Sequence, residues 1–190
     1  MTSPALAEID ADAYLGVAIT NNSQVQLQSS GGSVPVSFDS SLTGGLRGTY
    51  WFEGRLDWLG LAADWSYLKP KESRSGNSFE IQMFPLSPLL MVRIPLFRSE
   101  KFSTGRFAPY AAVGPGIFIS RLQGNGVGSI TDVPIGLDYR FGMSVMFTQR
   151  IGLFSEYRYS SATFKFKVGS DRLKTRLEIN QALVGVKARF

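Results

Sequence analysis

The sequence predicts an all-β chain: a transmembrane, eight-stranded, antiparallel up-and-down β-barrel. Three observations predict it. Apolar residues alternate with small, polar or charged ones along segment after segment, the period-two signature of strands. No apolar run reaches the roughly 18 residues of a membrane helix, whereas strands of about 9–11 residues also cross a bilayer. The connections alternate between long and mostly short, the habit of barrels whose loops face outside and whose turns face the periplasm.

The first strand, residues 12–21, sets Leu15, Val17 and Ile19 against Tyr14, Gly16, Ala18 and Thr20. The second, 42–52, sets Leu42, Leu46, Tyr50 and Phe52 against Thr43, Arg47 and Thr49. The third, 57–68, sets Leu59, Leu61, Ala63, Trp65 and Tyr67 against Gly60, Ala62, Asp64 and Ser66. The fourth, 79–94, begins with Ile81 and Met83 outward and Glu80 and Gln82 inward. Beyond Pro85 and Pro88, Leu90, Val92 and Ile94 carry the outward face in the other parity, so a bulge is expected there.

The fifth strand, 107–120, sets Val113, Ile117 and Ile119 against Ala112, Gly114, Gly116 and Ser120. The sixth, 133–148, is the clearest: Ile135, Leu137, Tyr139, Phe141, Met143, Val145 and Phe147 alternate with Gly136, Asp138, Arg140, Gly142 and Ser144, Met146 being the apolar exception. The seventh, 151–166, sets Leu153, Tyr157 and Tyr159 against Glu156 and Arg158. The eighth, 173–190, ends with Val184, Val186, Ala188 and Phe190 against Gly185, Lys187 and Arg189. Leu177 and Ile179 have the opposite parity, which predicts a second irregularity near 180–182.

Long connections fall at 21–41, 69–78 and 121–132, with a tight tip near 169–172; the other set is 53–56, 96–106 and 148–150. Aromatics gather near the strand ends, as girdles at the two interfaces would. Tyr50, Phe52, Phe107, Phe147 and Phe190 lie near the turns, and Trp65, Tyr67, Phe79, Tyr159 and Phe164 near the loops.

A soluble barrel of the lipocalin type has the same period two with apolar residues inside. Terminal Phe190, the aromatic distribution and a glycine-rich second face favour the membrane version. Composition agrees: 190 residues fit one domain, with 44% hydrophobic, 13% aromatic and only 18% charged residues. Near the N-terminus, Thr2–Ala7 ends in an A-x-A pattern before Glu8, Ile9 and Asp10. Residues 1–11 therefore read as a tail carrying a possible signal-peptide remnant, and 12–190 as the barrel.

The last nine residues, Ala182 to Phe190, resemble the C-terminal assembly signal of bacterial outer-membrane proteins. Pro109-Tyr-Ala-Ala-Val-Gly-Pro-Gly116 resembles a strand of the small OmpA-type and opacity-type barrels. This resemblance implies the outer membrane of a Gram-negative bacterium. It also implies that Val184, Val186 and Phe190 are read by the barrel-assembly machinery.

The predicted lumen holds Arg47, Asp64, Glu80, Arg93, Asp138, Arg140, Glu156, Arg158, Lys187 and Arg189. Buried charges must be paired or solvated. With a three-residue turn at 148–150, Arg140 falls opposite Arg158 and diagonal to Glu156, within reach of long side chains. An ion-pair network is expected, either filling the interior or forming a selectivity constriction.

Catalysis is not expected. Asp138 and Glu156 could pair as acid and base, but both have cationic neighbours that suit an ion-pair network instead. The chain has no histidine and no cysteine, which excludes a Ser–His–Asp triad, a histidine-ligated metal and a thiolate metal site. No cofactor is implied. Lys69, Lys71 and Arg74 in one loop, and Lys165, Lys167, Arg172 and Lys174 around another, could contact lipopolysaccharide phosphates. Net charge is only +5 and no nucleic-acid fold is present, so nucleic acid is not an expected partner. The expectation is a monomer in outer-membrane lipid, acting as an envelope structural element or a surface-loop binding or adhesion module. The alternative is a narrow passive channel for small, even apolar, solutes.

Overall fold

The alternating segments pair edge to edge in the computed structural model, which describes residues 8–21, 23–27, 33–36, 40–68, 80–124, 127–168 and 171–190. The strands are β1 (Glu8–Thr20), β2 (Ser23–Leu27), β3 (Ser33–Val36), β4 (Ser41–Trp51), β5 (Leu59–Leu68), β6 (Glu80–Arg93), β7 (Phe107–Gly124), β8 (Val127–Asp132), β9 (Ile135–Met146), β10 (Ile151–Val168) and β11 (Asp171–Arg189). Eight of them, β1, β4, β5, β6, β7, β9, β10 and β11, follow one another around a ring in chain order. All their pairings are antiparallel, and β11 pairs back onto β1 to close the barrel. Closure removes the unpaired edges that a bilayer would not tolerate. The other three strands belong to the long connections: β2 and β3 form a hairpin laid against β11, and β8 pairs with β7.

The first stave begins at Glu8, inside the segment read from sequence as a tail, because Glu8, Asp10 and Asp12 share the inward parity of Tyr14. At the opposite end of the chain, Phe190 bonds Ile9 through the backbone at 2.9 and 3.3 Å. The start of β1 and the end of β11 therefore meet at the closing seam, on the side of the short turns.

Two expected irregularities are absent. β6 keeps one parity and one register from end to end, and Met83 points inward, not outward. β11 likewise holds one register against β10 from Ile151↔Ala188 to Val168↔Asp171, with Leu177 and Ile179 inward. The cause is shared. The long-loop half of the lumen is filled by an apolar cluster of Ala18, Leu68, Met83, Phe118, Ala162, Leu177 and Ile179. Apolar residues therefore occupy the inner face there too, which from sequence looks like a change of parity. Pro85 and Pro88 are accommodated by lapses in the ladder: β5–β6 pairing skips 84–85, and β6–β7 pairing skips Ser87–Leu89 opposite Gly114–Gly116.

The outer face decides between the two barrels that the sequence allows. Leu15, Leu42 and Ile135 are 65%, 78% and 71% exposed, whereas Arg140 is wholly buried. Apolar side chains outside and charges inside are the order of a membrane barrel, and a continuous apolar belt of this kind needs lipid. Outward aromatics pair within the belt, as Tyr50 with Phe52 and Tyr67 with Phe84, at 5.6 and 5.2 Å between ring centres. β7, β10 and β11 have 18, 18 and 19 residues, about twice what a tilted crossing needs, so they extend past the belt on the long-loop side.

Candidate functional site

The barrel interior is the candidate site, and its chemistry follows from the inward residues of each stave. The turn at 147–150 fixes part of it. Thr148 Oγ1 accepts hydrogen bonds from the backbone amides of Arg150 and Ile151, at 3.2 and 2.9 Å, which tightens the turn and sets the β9–β10 register. That register places Arg140 directly across from Arg158, and Glu156 across from Gly142.

Two like charges on adjacent strands need anions between them. Asp64, reaching across from β5, lies 2.7 Å from Arg140 Nη1 and 3.3 Å from Arg158 Nη2. Arg140 also holds Asp138 at 2.7 Å, and Arg158 holds Glu156 at 3.2 Å. Arg47 on β4 bridges Asp12, at 2.7 Å, and Glu156. Two tyrosines complete this middle layer. Tyr14 donates its hydroxyl to Asp64 at 2.9 Å and accepts from Arg158, while Tyr110 donates to Glu156 at 2.8 Å. The arginines also lie over aromatic rings, Arg47 4.9 Å from the Phe154 centroid and Arg158 5.1 Å from that of Tyr14.

A second layer closes the short-turn end. Lys187 contacts Asp10 and Asp12 at 2.7 and 3.2 Å, and Arg189 contacts Asp10 and Glu8 at 3.0 and 3.1 Å. Arg93 pairs with Glu8 and stacks on Trp51, 4.1 Å from the ring centroid, while Trp51 donates its indole N–H to Asp10. Arg189 also donates to Thr104 at 2.6 Å, tying the long 94–106 turn to the barrel mouth. Above both charged layers sits the apolar cluster already described.

Among the described residues, the lumen sets six cations (Arg47, Arg93, Arg140, Arg158, Lys187 and Arg189) against six carboxylates (Glu8, Asp10, Asp12, Asp64, Asp138 and Glu156). This described part of the interior is neutral and cross-linked between staves. Breaking one partner of such a set leaves a buried charge uncompensated.

Of the residues singled out from sequence, Arg47, Asp64, Asp138, Arg140, Glu156 and Arg158 meet in one layer. Arg93 lies apart, in the lower one. Glu80 pairs through its backbone with Gln123, and its side chain lies outside the described residues. Val184, Val186 and Phe190 face outward on the last stave. Lys69, Lys71 and Arg74 lie outside the described residues, as do the side chains of Lys165, Lys167, Arg172 and Lys174. Sequence reasoning missed Glu8, Asp10 and Asp12, whose strict alternation was available as a signal, and the two tyrosine hydroxyls, which had none.

Large inward rings are seated over glycines. A methyl carbon at Gly142 would lie 2.5 Å from Cζ of Tyr110, and one at Gly45 2.5 Å from the Tyr14 hydroxyl. Gly142→Ala is thus expected to push Tyr110 off Glu156 and cost about 1–3 kcal/mol, as overpacking does. Gly48→Ala, with nothing within 4 Å, should be neutral. Urea midpoints of the two variants in micelles check the contrast.

The family model for the outer membrane protein beta-barrel domain matches residues 1–190. The chain belongs to this family. No curated protein matches it in sequence. Among solved structures, the outer membrane protein OprG from Pseudomonas aeruginosa is similar, with a TM-score of 0.70 at 16% identity over 97% of this chain and 96% of that one. Neisserial surface protein A has a TM-score of 0.54 at 18% identity, over 97% of each chain. Ail of Yersinia pestis, in complex with the heparin analogue sucrose octasulfate, has a TM-score of 0.54 at 14% identity over 97% and 99%. At these identities the likeness is one of fold. This outer-membrane barrel therefore sits in the outer membrane of a Gram-negative bacterium.

Proposed function

We propose that this protein is a non-enzymatic, non-conducting barrel that serves the envelope as a structural element and acts on its surroundings through its surface loops. The observation that carries this reading is the cross-linked lumen, in which the six cations among the described residues each meet a carboxylate and an apolar cluster lies above. An eight-stave interior is just wide enough to be filled in this way. Planar-bilayer recording of the refolded protein tests it. Silence is expected from folded wild-type protein, and from Arg47→Ala and Arg140→Ala as well, because the apolar cluster still fills the long-loop half of the lumen. Discrete wild-type channels would overturn the reading.

The loop side of the proposal concerns anionic sugar phosphates of lipopolysaccharide. The β10–β11 register pairs Lys165 with Lys174 and Lys167 with Arg172, bringing four cationic positions together at the projecting hairpin. Lys69, Lys71 and Arg74 add three cationic positions in the connection between β5 and β6. Ail, which shares the fold, was crystallised with a polyanionic sugar. On the last stave, the outward placement of Val184, Val186 and Phe190 suits recognition by the barrel-assembly machinery, and the protein is proposed to act as a monomer.

A second reading, passage of small apolar solutes sideways into lipid, is favoured by one feature. The β6–β7 ladder lapses where Pro88 and Pro115 both face outward. Unchanged uptake of an apolar solute in cells carrying Pro88→Val with Pro115→Val would remove this reading.

A further inference from the structure

The connection between β6 and β7 reaches across the short-turn mouth of the barrel. Its stem continues the β6–β7 ladder. Leu96 and Phe107 exchange backbone hydrogen bonds of 2.8 and 3.3 Å, and the Arg106 amide donates to the Phe97 carbonyl at 3.4 Å. Beyond the stem the chain makes a turn of its own. Ser99 and Phe102 exchange backbone hydrogen bonds of 3.1 and 3.0 Å, and the Gly105 amide donates to the Phe102 carbonyl at 3.0 Å. Phe102 and Thr104 are half-buried and Gly105 is buried, whereas Ser99, Glu100, Lys101 and Ser103 are exposed. The segment thus has one side against protein and one in water.

Among the described residues, two polar side-chain contacts join residues 98–104 to other staves. On one side Arg98 meets Asp57 of the neighbouring β4–β5 turn at 2.7 Å, an exposed pair. On the other, Thr104 Oγ1 accepts a hydrogen bond from Arg189 Nη1 at 2.6 Å. Arg189 belongs to β11, and β9 and β10 stand between β7 and β11 in the ring. This contact therefore spans the mouth, beside the layer in which Arg189 meets Asp10 and Glu8. Positive φ brackets the segment, 54° at Phe97 and 87° at Gly105. For Phe97 that conformation is strained and persists only while its surroundings hold it. At Gly105 a β-carbon would lie 2.9 Å from the Leu96 carbonyl oxygen. Closure is therefore held by an exposed ion pair, which is worth little, and by one hydrogen bond from a charged donor, against backbone strain.

We propose that residues 98–104 are a hinged lid on the periplasmic mouth, with Phe97 and Gly105 as its hinges and the Thr104–Arg189 hydrogen bond as its latch. Closed, the lid shields the lower charged layer of Arg189, Glu8 and Asp10 from periplasmic water. Open, it exposes that layer, as a segment with few contacts to the rest of the fold can do without global unfolding. The lid lies at the end opposite the apolar cluster, so its opening is independent of whether the lumen conducts.

Ser144 reports on the lid. It is an inward residue of β9, 5% exposed, and donates its hydroxyl to the carbonyl of Ala108, two residues inside Arg106. The chain has no native cysteine, so Ser144→Cys in micelles can be treated with a small cationic methanethiosulfonate reagent. With the lid intact, modification is expected to be much slower than at a cysteine placed at exposed Thr148. Thr104→Val removes the latch and should accelerate modification about tenfold, the equivalent of about 1.4 kcal/mol. Gly105→Ala strains the closed hinge and should accelerate it as well. Both changes leave the staves and their ion pairs in place, which urea midpoints near that of the parent would verify. Modification of Ser144→Cys as fast as that of Thr148→Cys would overturn the proposal. So would a slow rate that neither substitution raises.

Discussion

Arg47→Ala is expected to lower the unfolding free energy of the micelle- or vesicle-embedded barrel by about 3 kcal/mol, the lower part of the range for a broken buried ion pair. Arg47 is completely buried and joins Asp12 on β1 to Glu156 on β10, two staves that are not neighbours in the ring. Its loss leaves both carboxylates inside the lumen. Each keeps a second cation, Lys187 for Asp12 and Arg158 for Glu156, which is why the upper end of the range is not reached. Asp57 with Arg98 provides the comparison. That pair is also 2.7 Å apart, but its side chains are 27% and 50% exposed. Arg98→Ala should cost no more than about 1 kcal/mol. Urea midpoints for the two variants should therefore separate clearly, and equal midpoints would show that the lumen is as wet as the rim.

Leu15→Arg tests the other face. Leu15 lies midway along β1, faces outward and is 65% exposed in the isolated chain. In a bilayer this position meets hydrocarbon, where arginine near the midplane costs about 2–4 kcal/mol. The effect should be large in vesicles and should shrink when the same charge is placed near an interface, as in Ile9→Arg. A barrel with this face in water would tolerate both substitutions equally.

Strand existence and facing were legible wherever one face was apolar and the other was not. β9 is the clean case: every outward residue from Ile135 to Val145 was assigned correctly by period two alone. The same rule misled at Met83, Leu177 and Ile179. It assumes that the lumen is polar at every height, whereas the long-loop half is filled with hydrocarbon side chains. Where both faces are apolar, alternation carries no information on facing, and an intact register then looks like a bulge. β1 shows the opposite error. Glu8 and Asp10 read as part of a tail, with only Asp12 inside the first strand, because ahead of Leu15 the residues alternating with them are Ile9 and small alanines.

The charged residues of the lumen were legible as a set, since charges on the inner face of a barrel must find partners. Their division into two layers was not. Arg93 joins Glu8 and Trp51, not Asp64, because β6 carries it to the short-turn end, a matter of stagger between staves rather than of local pattern. Tyr14 and Tyr110 were equally hidden. A tyrosine on an inward face is as consistent with simple packing as with a hydroxyl that bonds a carboxylate. Only the cross-barrel distances reveal that Tyr14 serves Asp64 and Tyr110 serves Glu156.

The most direct test of the account uses the absence of native cysteine. Ser155 and Ser160 both lie on β10, the first exposed on the outer face and the second 2% exposed in the lumen. Single-cysteine variants at Ser155, Ser160 and the turn residue Thr148 would be reconstituted in vesicles. Each would then be treated with a small water-soluble cationic methanethiosulfonate reagent, and Ser155→Cys would also carry a bimane label read by brominated-lipid quenching. A lipid-facing exterior around a closed lumen predicts rapid modification of Thr148→Cys, no modification of Ser160→Cys on the same timescale, and strong quenching of the label on Ser155→Cys. Modification of Ser160→Cys at a rate near that of Thr148→Cys, in a folded barrel, would contradict it by showing an open aqueous path through the charged layers.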